Sequence, residues 1–291
     1  PSDQKYKPVV WHDSMFPTEI RSRLGIVSNE MEAKALAHRI NASLVIYGKV
    51  VNDGYGPLFS PAFYAPVLAE GEEFINGEVL GKPILLDSNM VVAKQKLQSR
   101  IEELRLFSLG LLQDFQIDPV TAMKYFSDTI ALMESEAGIQ SRAGEEILYY
   151  FIGREALLAN SLPDNIANSD PKTIANNEQV ALAAFDQALA INPDYARAYI
   201  GLGNLNVQTA ERTADPEAAT RTLAKAITNY EKALDLDAQS PQPFLESKAH
   251  LCLSNAYRLQ AGRQRTLGQL EKTNEALDIA INEAYRALTK I

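Results

Sequence analysis

Cysteine occurs once in the 291 residues, at Cys252, which excludes an intramolecular disulfide and any metal site built from several thiolates. Lying in an apolar helical stretch, that thiol is expected to be buried and inert. Histidine is nearly as scarce, with only His12, His38 and His250 available for proton transfer. No run of about 18 apolar residues occurs, so no segment is expected to cross a bilayer. Positive charge is also short: 28 Lys and Arg face 37 Asp and Glu, a formal charge of −9. That excess repels phosphate backbones and anionic membrane surfaces, so nucleic acid is not the expected partner. The first residues do not read as a signal peptide. Opening on proline rather than Met reads as a trimmed chain, from which a signal or anchor could have been removed. The compartment is therefore bounded only to the cytoplasm or the soluble part of a membrane-anchored bacterial protein.

What is present suits a folded chain of about two domains, with 46% hydrophobic and 22% charged residues. Over residues 1–90 the segments alternate in type. "KPVVWH" is a short β-type run, and "SNEMEAKALAHRIN" is an amphipathic helix. Ser28 or Asn29 is its N-cap, with Glu32 closing a capping box and Met31, Ala35, Leu36 and Ile40 sharing a face. "SLVIYGKVV" and "LFSPAFYAP" are two extended runs about an Asp53-Gly54 turn, the prolines of the second suiting a sheet edge. A helix between strands makes a right-handed parallel crossover, and the turn adds an antiparallel neighbour, so a small α/β domain is expected. "LAEGEEFINGEVLGKPILLD" is expected to wrap from that sheet toward the next part of the chain.

Residues 91–291 change to nearly uninterrupted helical periodicity and carry an internal repeat. Gly110 and Ala122 lie twelve residues apart, followed by Phe126 and Thr129. Gly153 is followed by Ala181, Phe185, Ala188 and Pro193. Tyr199, Leu202 and Gly203 are followed by Ala226, Tyr230, Ala233 and Leu234. A fourth, more degenerate set has Ser254 in the glycine place, with Tyr257, Ala280, Ala284 and Ala287.

These sets resemble the tetratricopeptide repeat, two helices in 34 residues whose small side chains let the backbones approach closely. The resemblance covers most of residues 101–291 and implies an α+β chain: a small α/β domain followed by an all-α helical-hairpin solenoid of about four degenerate repeats. The glycine places are 43, 50 and 51 residues apart, not 34, so extra residues either separate the paired helices or extend them. The inserts 160–178 and 209–220 are expected to be loops or short helices. Residues 9–85 resemble an α/β module found ahead of such arrays in large bacterial proteins, which implies recognition in place of turnover.

The repeat register implies which side chains line a concave groove: Tyr150 and Arg154, then Arg197, Asn204 and Gln208, then Lys248, Asn255 and Arg258. Four of these are cations and none is a carboxylate, which suits an acidic protein or peptide segment. Asn204, Asn255 and Lys248 are similar to the carboxylate-clamp subfamily that grips chaperone C-termini. That subfamily also wants a cation where this chain has Gly201 and Cys252. The cations could equally be paired with carboxylates on adjacent helices.

Catalysis finds little support. His12 and Asp13 are neighbours in an extended run and point to opposite faces. His38 falls on the polar side of its helix, and His250 takes the place of a packing aromatic. No HExxH, paired-cysteine, calcium-loop or GxSxG pattern occurs, and "GLGN" lacks the strand and third glycine of a phosphate loop. Glu72-Glu73 and Glu145-Glu146 read as solvated turn and helix-start residues, the latter pair offsetting a helix dipole. The expected protein is a non-catalytic scaffold without cofactor or metal. The alternative is a small-ligand sensor or regulatory domain of a larger signalling protein, with the α/β domain as the sensing part.

Overall fold

The computed structural model describes residues 27, 29–42, 45–52, 57–64, 84–85, 90–136, 144–162, 171–242 and 244–289. Among them the chain is mostly helical, with one small sheet. The 7–12 strand, His12, the Asp53-Gly54 turn and Glu72-Glu73 lie outside the described residues.

Helix α1 spans Glu30–Ile40 and starts where its polar signal places it: Asn29 is the N-cap, its Oδ1 accepting the Glu32 N–H at 3.0 Å. Asn41 ends it at φ 52°, and its N–H returns to the Ala37 carbonyl. The buried face differs from the expected one. Ala33 and Ala37 are buried, Leu36 and Ile40 are half-buried, and Met31 and Ala35 are exposed. Two alanines one turn apart give the helix a flat, shallow side that lies close on the sheet, and Met31 is left at its margin.

Strands β1 (Val45–Asn52) and β2 (Pro57–Tyr64) pair antiparallel from Val45↔Tyr64 to Asn52↔Pro57. A third strand, β3 (Ile84–Leu85), adds antiparallel to β2 within the segment expected only to wrap onward. The sheet order is β1-β2-β3, so β2 is central at Leu58 and Phe59 and an edge elsewhere. Pro57 and Pro61 fall outside the two residues that β3 pairs, where a missing N–H costs no ladder bond on that side. Strand alternation then divides the buried side chains. Ala62 and Tyr64 join Val45, Tyr47 and α1, while Phe63 enters the helical core, its ring 5.1 Å from that of Phe107.

Among the described residues eight longer helices follow: α2 (Met90–Phe115), α3 (Pro119–Glu136), α4 (Glu145–Ser161), α5 (Pro171–Ile191), α6 (Ala196–Arg212), α7 (Pro216–Gln239), α8 (Leu245–Thr266) and α9 (Leu270–Thr289). They pack as the pairs α2–α3, α4–α5, α6–α7 and α8–α9, and each pair also rests on the next. Among the described residues, the extra length behind the long spacings is chiefly helix. Residues 209–220 are mostly helix: α6 continues to Arg212, α7 begins at Pro216, and residues 213–215 connect them. Asp215 fixes that start, its carboxylate accepting the Glu217 N–H at 3.1 Å and the Ala218 N–H at 3.2 Å, with proline in the first turn. Asp118 caps α3 in the same way through the Thr121 N–H at 3.1 Å, again before a proline. Of the other insert, residues 171–178 form the start of α5, and 163–170 lie outside the described residues.

Two large buried clusters hold the helices. One joins α2 through α6 around Phe107, Phe126, Phe151 and Phe185, and the other joins α6 through α8 around Leu223, Tyr230, Leu253 and a set of alanines.

Candidate functional site

The repeat residues act at the crossing of paired helices. A Cβ added to Gly153 would lie 2.6 Å from Phe185 Cε1, and one added to Gly110 would overlap the Phe126 ring. The same holds for Gly203 against Tyr230, and a Cβ at Gly201 would overlap the same edge of Phe185 as one at Gly153. Phe185 therefore meets a glycine of its own pair and one of the next. This explains why position 201 carries no cation: any side chain there would displace the ring. Ala122, Ala188 and Ala233 are fully buried, and exposed Pro193 turns the chain, its carbonyl accepting the Tyr199 hydroxyl at 3.2 Å. Ser254 departs from the pattern chemically. Its Oγ donates to the Ala280 carbonyl at 2.8 Å, replacing close backbone approach with a bond between helices.

The eight groove candidates divide by environment. Tyr150 is 3% exposed, among the rings of Phe151, Phe185 and Tyr195, and Arg197 is 2% exposed. Both are core residues, and neither is offered to a ligand. Arg154 Nη1 donates to Asp114 Oδ1 at 2.7 Å and Glu155 Oε1 at 2.8 Å, and its guanidinium stands over the Phe151 ring. The expected cationic asymmetry is thus partly neutralised inside the fold. Arg197 also acts on Asp237: burial raises that carboxyl's pKa, while the Gln242 N–H bond at 2.7 Å and the Arg197 charge pull it back.

Asn204 is half-buried, its Oδ1 accepting the Tyr230 hydroxyl at 2.7 Å with Cys252 Sγ at 3.7 Å. Burial first, then the neighbouring Cys252, holds the Tyr230 phenol well above its ordinary pKa. Cys252 is itself half-buried, not enclosed as expected. Gln208 spends its amide N–H groups on the Leu157 carbonyl at 3.3 Å and Ser161 Oγ at 3.0 Å. Lys248 is half-exposed, and Asn255 and Arg258 are exposed, Arg258 donating to Asn255 Oδ1 at 2.7 Å. The side of α8 bearing Lys248 and Asn255, with the Asn204 amide behind it, is the part of the expected line that still meets solvent.

Compared with known proteins, the chain matches no family model, and no curated protein matches it in sequence.

Sequence reasoning missed the buried polar pair of the last layer. His250 Nδ1 and Glu283 Oε2 lie 2.5 Å apart, each residue 7% exposed, and Arg286 Nη1 donates to Glu283 Oε1 at 2.9 Å. The Glu283–Arg286 spacing was legible as a helix pair, but His250 and Glu283, thirty-three positions apart, gave no local signal. Glu145 is also buried, at 2% exposed, where a solvated position was expected. Its neighbour Glu146 reaches back to accept the Gly144 N–H at 2.7 Å, which frees Glu145 to turn inward. His38 is exposed on α1. Among the described residues no three His, Cys, Asp or Glu side chains gather as a metal site requires, and no helix is long and apolar enough to cross a membrane.

Proposed function

We propose that the chain is a binding scaffold: a tetratricopeptide-like stack of helix pairs that holds an acidic peptide or protein segment along its first helices. The observation that carries this reading is the recurrence of one packing device in successive pairs. Gly110 on Phe126, Gly153 on Phe185 and Gly203 on Tyr230 repeat the same helix crossing. Repetition of one unit builds an extended surface in place of a single closed pocket. Arg154 is engaged within the fold by Asp114 of α2 and by Glu155 beside it on α4. Lys248, Asn255 and the amide N–H groups of Asn204 supply what an extended acidic chain needs: one cation for a carboxylate and amides for its backbone. Asn255 is exposed, and Lys248 and Asn204 are half-exposed.

A displayed library of random peptides panned on the whole chain tests this. Enriched sequences should be rich in Asp and Glu and should lose binding at least tenfold to Lys248→Glu. No enrichment over a control surface, or enriched peptides indifferent to Lys248→Glu, refutes the reading.

A further inference from the structure

The two sides of α8 and α9 are unequal in a way that the preceding pair explains. Matching Ser254 to Gly203 places Leu251 and Arg258 of α8 at the positions of Ile200 and Val207 of α6. Matching Ala280 and Ala287 to Ala226 and Ala233 places Leu277, Ile281 and Leu288 of α9 at the positions of Leu223, Ile227 and Leu234 of α7. The α6 and α7 residues belong to the buried cluster that seats α8. Their counterparts are open: Leu251 is 61% exposed, Ile281 55% and Leu288 69%. The surface that receives a helix pair is thus repeated at the end of the described array, and there it meets solvent.

We propose that this end face pairs with the same face of a second copy of the chain. One observation favours a copy over an unrelated helix: the charges of this face are self-complementary, as an isologous contact requires. Arg258 and Arg265 are exposed on α8, while Glu271, Glu275 and Asp278 are exposed on α9. Crossing α8 of one copy over α9 of the other brings a basic helix onto an acidic one, with the apolar stripe enclosed between. Lys272 is also exposed on α9 but leaves carboxylates in the majority there, and Arg286 is paired with Glu283.

The stripe from Leu270 to Leu288 runs roughly 27 Å at about 1.5 Å per residue. With helices about 10 Å apart, two of them offer on the order of 500 Å² per copy, near the lower bound for a specific contact. A dimer forming at roughly 10–100 μM chain is the expected strength.

Sedimentation equilibrium of the whole chain from about 1 to 300 μM tests this, with far-UV circular dichroism confirming that each variant folds. The weight-average mass should rise toward twice the chain mass, and Ile281→Asp with Leu288→Asp, both at exposed positions, should hold it at one. Arg258→Glu should weaken the dimer about tenfold, and adding Asp278→Lys should restore it. A monomer at every concentration overturns the proposal and leaves the face to a helix of another protein. A dimer untouched by the α9 variants places the contact elsewhere and overturns it equally. Failure of Asp278→Lys to restore association overturns the crossed pairing of α8 on α9. Peptide binding lost to Lys248→Glu without a change of mass separates this contact from the groove.

Discussion

The earlier and later helix pairs solve the same packing problem with different side chains. Around α2 to α5 the core is aromatic: the Phe126 and Phe151 rings stack at 5.1 Å, and Phe107 meets both. Around α6 to α8 it is built from leucines and alanines, with Tyr230 the large ring at its centre. In both, a glycine of the first helix receives a ring of the second. The phenylalanines need nothing further, so layers can be joined by rings alone. Tyr230 brings a hydroxyl that must be satisfied, and it is met by Asn204, which lies within 3.7 Å of Cys252 on the next layer. The device is steric in one half and steric plus polar in the other.

The most severe way to break the comparison is at Phe185, which is shared by Gly153 and Gly201. Phe185→Ala should cost about 3–5 kcal/mol in urea unfolding, the usual range for removing a fully buried ring. Gly153→Ala alone should cost about 1–3 kcal/mol by overpacking. In the Phe185→Ala background that second penalty should largely vanish, because the atoms it meets are gone. Strict additivity would show that the ring is not what the glycine accommodates.

Tyr230→Phe converts the later core to the earlier kind and should cost about 1 kcal/mol, the worth of a hydrogen bond whose partner Asn204 is left unmet. It should also change the alkaline limb. The raised phenol pKa means that the Tyr230 contribution is intact below the unfolded-state value of about 10 and is lost as pH rises through the folded-state value. Wild type should therefore lose stability faster than Tyr230→Phe above about pH 10. Parallel alkaline melting curves would mean that the phenol is not shielded.

The smallest effect is expected at Asp237, where α7 turns into α8. Its raised pKa makes its contribution most favourable below the unfolded carboxylate value of about 3.9 and lost as pH rises through the folded value. The melting temperature of wild type minus that of Asp237→Asn should rise as pH is lowered from neutrality toward that range, by no more than a few degrees. A difference that falls instead would show that the Gln242 N–H bond and Arg197 outweigh burial.

The helical half was more legible than the sheet because small residues at fixed helical spacing carry their reason with them. Gly153 and Gly203 fell where a ring of the paired helix is seated, and Ala188 and Ala233 fell in the buried core. In the 209–220 stretch, where loops or short helices were expected, the ends of two long helices meet, and the signal for it is Asp215-Pro216, the same dipeptide as Asp118-Pro119, each marking a helix start. The groove set fared differently, since register alone cannot show whether Arg154 finds Asp114, or whether Tyr150 turns into a cluster of rings. Met31 shows the same limit on a smaller scale: an apolar side chain at helical spacing is not thereby buried.

By itself the sequence determined where helices begin and end and which positions must stay small, because capping and steric exclusion act within a few residues or a single crossing. The tertiary structure alone decided which charges are consumed inside, that Phe63 leaves the sheet for the helical core, and that the last pair keeps an open apolar face. Those outcomes depend on side chains far apart in the chain meeting in space, and on burial, which only the assembled layers create.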